Sequence, residues 1–155
     1  MEFSHINEAG FAKMVDVSGK EVTFRKAVAE GSIRMKREVL EQIKNGGVRK
    51  GEVLNTALVA GISAAKRTWE LIPMCHNIPL NGAEIAFFYG EGVLTVTATV
   101  TADGKTGAEM EALTAVSVAL LTVYDMIKSA DKGAVMENIR LREKSGGKSG
   151  EVRYD

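Results

Sequence analysis

Apolar residues recur every three or four positions over two long stretches of this chain, and every second position over several shorter ones. The first long stretch predicts a helix from about Gly51 to Leu71. Val53, Leu54, Ala57, Leu58, Gly61, Ala64, Ala65 and Thr68 share one face, and Pro73 ends the segment. The small residues on that face predict close packing against a sheet or a second helix. The other long stretch predicts a helix from about Gly107 to Ser129, on a stripe of Met110, Leu113, Ser117, Leu120, Leu121, Tyr124 and Ile127. A shorter helix is predicted over Lys36 to Lys44, carrying Val39, Leu40 and Ile43. It stops at Asn45-Gly46-Gly47, a good C-terminal signal.

Strands are predicted between these helices. Glu84 to Tyr89 and Val93 to Thr101 flank Gly90-Glu91-Gly92 and read as a hairpin. The run from Val93 to Val100 alternates as a half-buried strand should. Ala134 to Leu141 predicts a further strand. Met14 to Val17 is left unassigned, and Glu21 to Met35, which contains Gly31 and carries no clean helical stripe, is read as a strand. The resulting order is strand, helix, helix, strand, strand, helix, strand. It predicts an α+β layer with an antiparallel sheet and helices on one face, the ferredoxin-like arrangement.

Composition narrows the picture. A chain of 155 residues fits a single domain, 1–155, and its 45% apolar content allows a real core. Twenty basic residues balance 20 acidic ones, which argues against a general nucleic-acid binder and lets copies self-associate without charge repulsion. One cysteine, Cys75, excludes an internal disulfide framework and suits a reducing compartment. The sequence shows neither a basic-then-apolar leader nor an apolar run of about 20 residues, so a cytoplasmic protein without a membrane span is expected.

Several residue groups could carry chemistry. The only two prolines, Pro73 and Pro79, bracket Met74-Cys75-His76 and stiff backbone there can present a histidine. A partly buried His bonded to a carbonyl is the equal alternative. Two histidines and one cysteine are too few for structural zinc, and no metal is expected. Asp125 and Lys128 share a helix face at a spacing of three. They can form a surface ion pair worth under about 1 kcal/mol, or a proton donor and acceptor that tune one another. Glu109 and Glu111 open the same helix, where acids suit the helix dipole without further purpose.

The tail from Lys144 to Gly150 sets two glycines between lysines. That pattern can cradle an anion with backbone N–H groups, or it can be a flexible, solvated terminus. It is not a Walker A loop, because Arg142 stands where the first glycine belongs. Basic residues near glycine turns, among them Arg25, Lys50 and Lys66, could bind a polyphosphate or could simply be solvated. On these residues alone three classes stay open: an enzyme acting on a nucleotide, a ferredoxin-like nucleotide-sensing module, and a structural oligomerisation domain.

Four blocks together resemble the cyclic pyranopterin monophosphate synthase family of molybdenum-cofactor biosynthesis. They are SHINEAGFAKMVDVSGK, KGEVLNTALVAGISAAKRTWELIPMCHNIPL, TADGKTGAEMEALTAVSVALLTVYDMIKSADK and IRLREKSGGKSGE, and they span nearly the whole chain. Asn81 to Val100 resembles the family in strand pattern only, and Cys75-His76-Asn77-Ile78-Pro79 departs from the more familiar Cys-His-Pro order. The resemblance implies conversion of 3′,8-cyclo-7,8-dihydro-GTP to cyclic pyranopterin monophosphate with loss of diphosphate, a lyase reaction without a redox step and so without a cofactor. It also implies hexamers, trimers of dimers, with sites between subunits. By the same resemblance Asp125 is the catalytic aspartate, and Lys50 and Lys128 are catalytic lysines. Met74, Cys75 and His76 form one substrate-binding segment, and Met110 and Glu111, beside Glu109, a second. Arg25, Lys66, Lys144 and Lys148 fall where substrate or phosphate contacts are expected.

Overall fold

The structure is a computed structural model that describes residues 1–48 and 52–155. In chain order it contains β1 (Thr23–Arg34), α1 (Arg37–Lys44), α2 (Val53–Ala65), α3 (Thr68–Leu71), β2 (Leu80–Tyr89), β3 (Val93–Gly104), α4 (Glu109–Ile127), β4 (Val135–Ser145) and β5 (Val152–Arg153). The strands form one sheet in the order β2-β3-β1-β4-β5, every pair antiparallel. The first four are arranged as in the ferredoxin-like β-α-β-β-α-β unit, and β5 extends the edge beside β4.

Strict alternation in β1 and β3 builds the core. Ala27, Ala29 and Ile33 of β1, with Leu94, Val96, Ala98, Val100 and Ala102 of β3, are fully buried beneath the helices. Thr95, Thr97, Thr99 and Thr101 occupy the intervening, half-buried positions of β3. α4 lies across β1, β3 and β4, and α2 packs beside it over β2.

Two glycines set how close these layers come. A Cβ on Gly31 would stand 2.8 Å from Leu120 Cδ1 and 2.9 Å from Val116 Cγ1. One on Gly61 would stand 2.3 Å from Ile85 Cδ1 and 2.9 Å from the Ala115 carbonyl. Gly31 therefore sits in the middle of β1, where glycine is otherwise unfavourable, because α4 presses on it.

Two expectations are corrected. The stripe assigned to α4 is out of phase: Met110 and Leu121 are exposed, and the buried face runs through Ala112, Ala115, Val116, Ala119, Leu120, Val123, Met126 and Ile127. This helix is apolar nearly all round, so the larger side chains misled. The fit onto Gly31 and Gly61 instead selects the small ones. The helix expected to reach Leu71 breaks after Ala65. There the Arg67 amide turns back to Ala64 O, and the Thr68 hydroxyl bonds the Ala64 and Ala65 carbonyls at 3.3 and 3.1 Å, closing the α2 end. The predicted start of that helix, at Gly51, lies outside the described residues. Met14 to Val17 forms no strand.

The segment from Lys144, read as either an anion cradle or a flexible terminus, is joined to the sheet by β5. Lys144 and Ser145 close β4, and β5 pairs back onto Glu143 and Lys144. α4 is long and apolar enough, by composition alone, to cross a membrane. Its packing between sheet and α2 is that of a core helix.

Candidate functional site

At the N-terminal end of α4 the chain forms an open cavity of about 680 Å³. Three segments make it. The turn into α4 supplies Thr106, Gly107, Glu109, Met110 and Glu111. The loop between α3 and β2 supplies Ile72 through His76. The extended N-terminal segment supplies Ser4, His5, Val15 and Val17. The walls are mostly apolar, with a few convergent polar groups, as small-molecule sites usually are.

Glu111 is the most perturbed group in it. It is 5% exposed, and among the described residues no cation forms an ion pair with it. Burial pushes its carboxyl up to about 7. Its own backbone N–H opposes that rise and the charge of Glu109 adds to it. Cys75 lies close by; burial raises its thiol, and the charge of Glu111 raises it further. That environment makes Cys75 a poor thiolate near neutral pH.

His76 carries both features foreseen for it. It lines the cavity, and it is also bonded to a carbonyl, with Nε2 at 2.6 Å from Val15 O. A carbonyl only accepts, so Nε2 donates. The ring thereby ties the N-terminal segment to the loop behind Pro73.

One cation is tied to the cavity through a lining residue, and a second lies near the loop that enters α4. Lys144 Nζ donates to Glu109 Oε1 at 3.0 Å. Arg25 Nε donates to the Gly104 carbonyl at 3.3 Å, at the head of the loop entering α4. The turn after β4 wraps the same guanidinium: a Cβ on Gly147 would stand 2.1 Å from Arg25 Nη1, and one on Gly146 would stand 2.1 Å from the Phe24 carbonyl. Gly146 at φ 99 and Gly147 at φ 71 adopt a conformation that side chains disfavour. Sequence, space and backbone agree on glycine at both.

Of the residues expected at a site, the structure therefore brings Met74, Cys75, His76, Glu109, Met110 and Glu111 into one cavity, with Lys144 bonded to its Glu109 and Arg25 bonded to Gly104 at the end of β3. Asp125 and Lys128 stand elsewhere. They pair on the α4 surface, Lys128 Nζ to Asp125 Oδ1 at 2.5 Å, with the Lys128 side chain 50% and the Asp125 side chain 59% exposed. The hydrogen bond and charge of Asp125 hold the Lys128 ammonium above its usual range. Fourteen residues of helix at about 1.5 Å each separate Glu111 from Asp125 by about 21 Å. Lys66 and Lys148 are exposed and line no part of the cavity. Lys50 lies outside the described residues. Among the described residues no three His, Cys, Asp or Glu side chains are grouped to hold a metal ion.

Residue-level reasoning passed over Ser4, His5, Val15 and Val17. One signal was available. The chain has two histidines and one cysteine, and all three line this cavity.

Comparison with known proteins bears on the same residues. The model of the MoaC family matches residues 14–147. A protein of Peptoclostridium acidaminophilum is 54% identical over 155 residues, covering 100% of this chain and 99% of its own length. One of Brevibacillus brevis is 56% identical over 151 residues, covering 97% and 94%. One of Novosphingobium aromaticivorans is 53% identical over 149 residues, covering 96% and 95%. Each of the three is called cyclic pyranopterin monophosphate synthase. With the family model spanning 14–147 and identity above one half running nearly end to end, this chain belongs to the MoaC family.

Proposed function

We propose that this chain is a cyclic pyranopterin monophosphate synthase of molybdenum-cofactor biosynthesis. It is a cytoplasmic lyase that converts 3′,8-cyclo-7,8-dihydro-GTP to cyclic pyranopterin monophosphate and diphosphate. The observation that carries this reading is full-length identity of 52–56% to relatives bearing that name. A sensing module finds no support among those relatives, all of which are named as synthases.

The chemistry of the cavity suits such a substrate. Its apolar walls, including Met74, Met110 and Ile72, fit a heterocycle. Glu111, with its carboxyl near 7, can both give and take a proton around neutral pH. Rebuilding a purine-derived ring requires several such transfers. Arg25, Lys144 and Lys148 with the glycine turn would hold the phosphates, and closing a cyclic phosphate releases diphosphate from that end.

Asp125 and Lys128, with Lys50, would be the second proton-transfer group. Asp125 and Lys128 cannot reach the Glu111 cavity of their own chain across about 21 Å of helix. The reading therefore includes a second copy: α4 helices paired antiparallel about a two-fold axis would set the Asp125 end of one beside the Glu111 end of the other, giving two equivalent sites per dimer. Three such dimers make the hexamer implied by the resemblance.

The test is incubation of the purified protein with 3′,8-cyclo-7,8-dihydro-GTP. Diphosphate and a pterin product are expected in equal amounts. Unchanged substrate would overturn the reading.

A further inference from the structure

Two observations about the cavity are unused by that reading. His5 lines it, and His5 precedes the segment matched by the family model, 14–147. We propose that His5 is a substrate-contacting residue of this site, a hydrogen-bond donor to an oxygen of the bound nucleotide, delivered by a hairpin over residues 4–13. The substrate class rests on the function proposed above.

The hairpin is a built element. Ile6 and Ala12 form an antiparallel bridge. The Asn7 amide donates to Phe11 O at 2.9 Å, and the Lys13 amide donates to the carbonyl of His5 itself at 2.9 Å. Asn7 Oδ1 accepts from the amides of Ala9 and Phe11 at 3.1 and 2.9 Å, and Gly10 at φ 82 makes the turn. The backbone of His5 is thus fixed by hydrogen bonds, although Phe3, Ile6 and Phe11 around it are exposed and add little packing.

Beyond Lys13 the chain stays anchored. The Val15 carbonyl accepts a hydrogen bond from His76 Nε2, and Ser18 O accepts from Lys105 Nζ at 3.2 Å. Val15 and Val17 between these anchors are themselves cavity wall. His76 is in this respect a positioning residue: its hydrogen bond holds the segment that brings His5 over the site.

The polar groups of the cavity explain why a donor is needed there. Glu109 and Glu111 are acids, and Lys144 already pairs with Glu109. Among the described residues no Lys or Arg lines the cavity, and His76 Nε2 already donates to the Val15 carbonyl. The His5 ring makes no hydrogen bond to any described residue. It is the one cavity imidazole with its donor left for a ligand, and phosphate or carbonyl oxygens of a nucleotide are acceptors only.

The experiment compares the full-length wild type with His5→Ala and His5→Gln. In steady state with 3′,8-cyclo-7,8-dihydro-GTP, His5→Ala should raise KM about tenfold with a smaller change in kcat, and His5→Gln, which keeps an N–H donor, should recover most of the loss. Melting temperatures should match, because the ring holds nothing in the fold. KM and kcat both within twofold of wild type in His5→Ala would overturn the proposal, as would equal loss in both variants with lowered melting temperatures. A second measurement is independent of turnover. Carbethoxylation by diethyl pyrocarbonate, read at each histidine by mass spectrometry, is run on Asp125→Asn protein with and without the same nucleotide. Protection of His5 supports the contact even if the wild type proves inactive, whereas an unprotected His5 overturns it.

Discussion

The two ends of α4 carry the same kind of side chain in opposite settings. At its start Glu111 is buried against the Ile72–His76 loop, and its carboxyl is pushed up to about 7. At its finish Asp125 is mostly exposed and holds Lys128 in an open ion pair. Between them one face of the helix, through Ala112, Ala115, Val116, Ala119, Leu120 and Val123, belongs to the core. One helix thus holds two carboxyl groups in opposite settings at its ends while its middle packs the core. Burial raises the Glu111 carboxyl, whereas the exposed Asp125 is held in an ion pair.

Changes at each end should separate these roles. The largest effect is expected at the open end. Asp125→Asn should lower turnover by about 10²-fold or more, while the melting temperature stays close to wild type, since an exposed pair is worth under about 1 kcal/mol. Near-normal turnover would remove Asp125 from the mechanism. Beside Glu109, Lys144→Ala should weaken nucleotide binding about tenfold and make what remains less sensitive to salt. An unchanged affinity across a salt series would return Lys144 to a structural partner of Glu109.

At the buried end the expected signature is stability against pH. A carboxyl whose folded pKa is raised from 4.5 to about 7 favours the folded state while protonated, so this contribution is lost as pH rises between those values. Glu111→Gln cannot ionise. It should match wild type below pH 4.5 and exceed it at pH 8 by up to about 3 kcal/mol. A stability difference that is flat in pH would contradict the burial argument. The smallest effect is on Cys75, whose thiol is raised by burial first and by Glu111 second. Its alkylation at pH 8 should speed up only severalfold in Glu111→Gln, and no change at all would mean that burial acts alone.

Much of this was legible along the chain, for reasons that differ by element. β3 alternates cleanly, so its strand and its buried face both follow from period two. α4 is bounded by Gly107 and the polar run after Ile127, so its span follows too. Its buried face does not, because Ala, Val and Leu surround the axis and only the contact with Gly31 and Gly61 selects among them. The same limit applies to the site. Cys75-His76 between two prolines drew notice as a presented loop. Glu111 read as an ordinary first-turn acid, because the loop and N-terminal segment that bury it are distant in sequence. The glycine-lysine turn offered either an anion cradle or a free terminus, and its approach to Arg25 was visible in neither.

The central claim is that the two ends of α4 meet in one site contributed by two chains. Complementation tests it directly. Glu111→Ala and Asp125→Asn proteins, each inactive alone, are unfolded together in equal amounts and refolded. A site shared across a two-fold axis predicts recovery of up to about a quarter of wild-type turnover, since half the dimers are mixed and each mixed dimer has one intact site. If each site belongs to a single chain, every site in the mixture lacks a residue, and no recovered activity would contradict the claim.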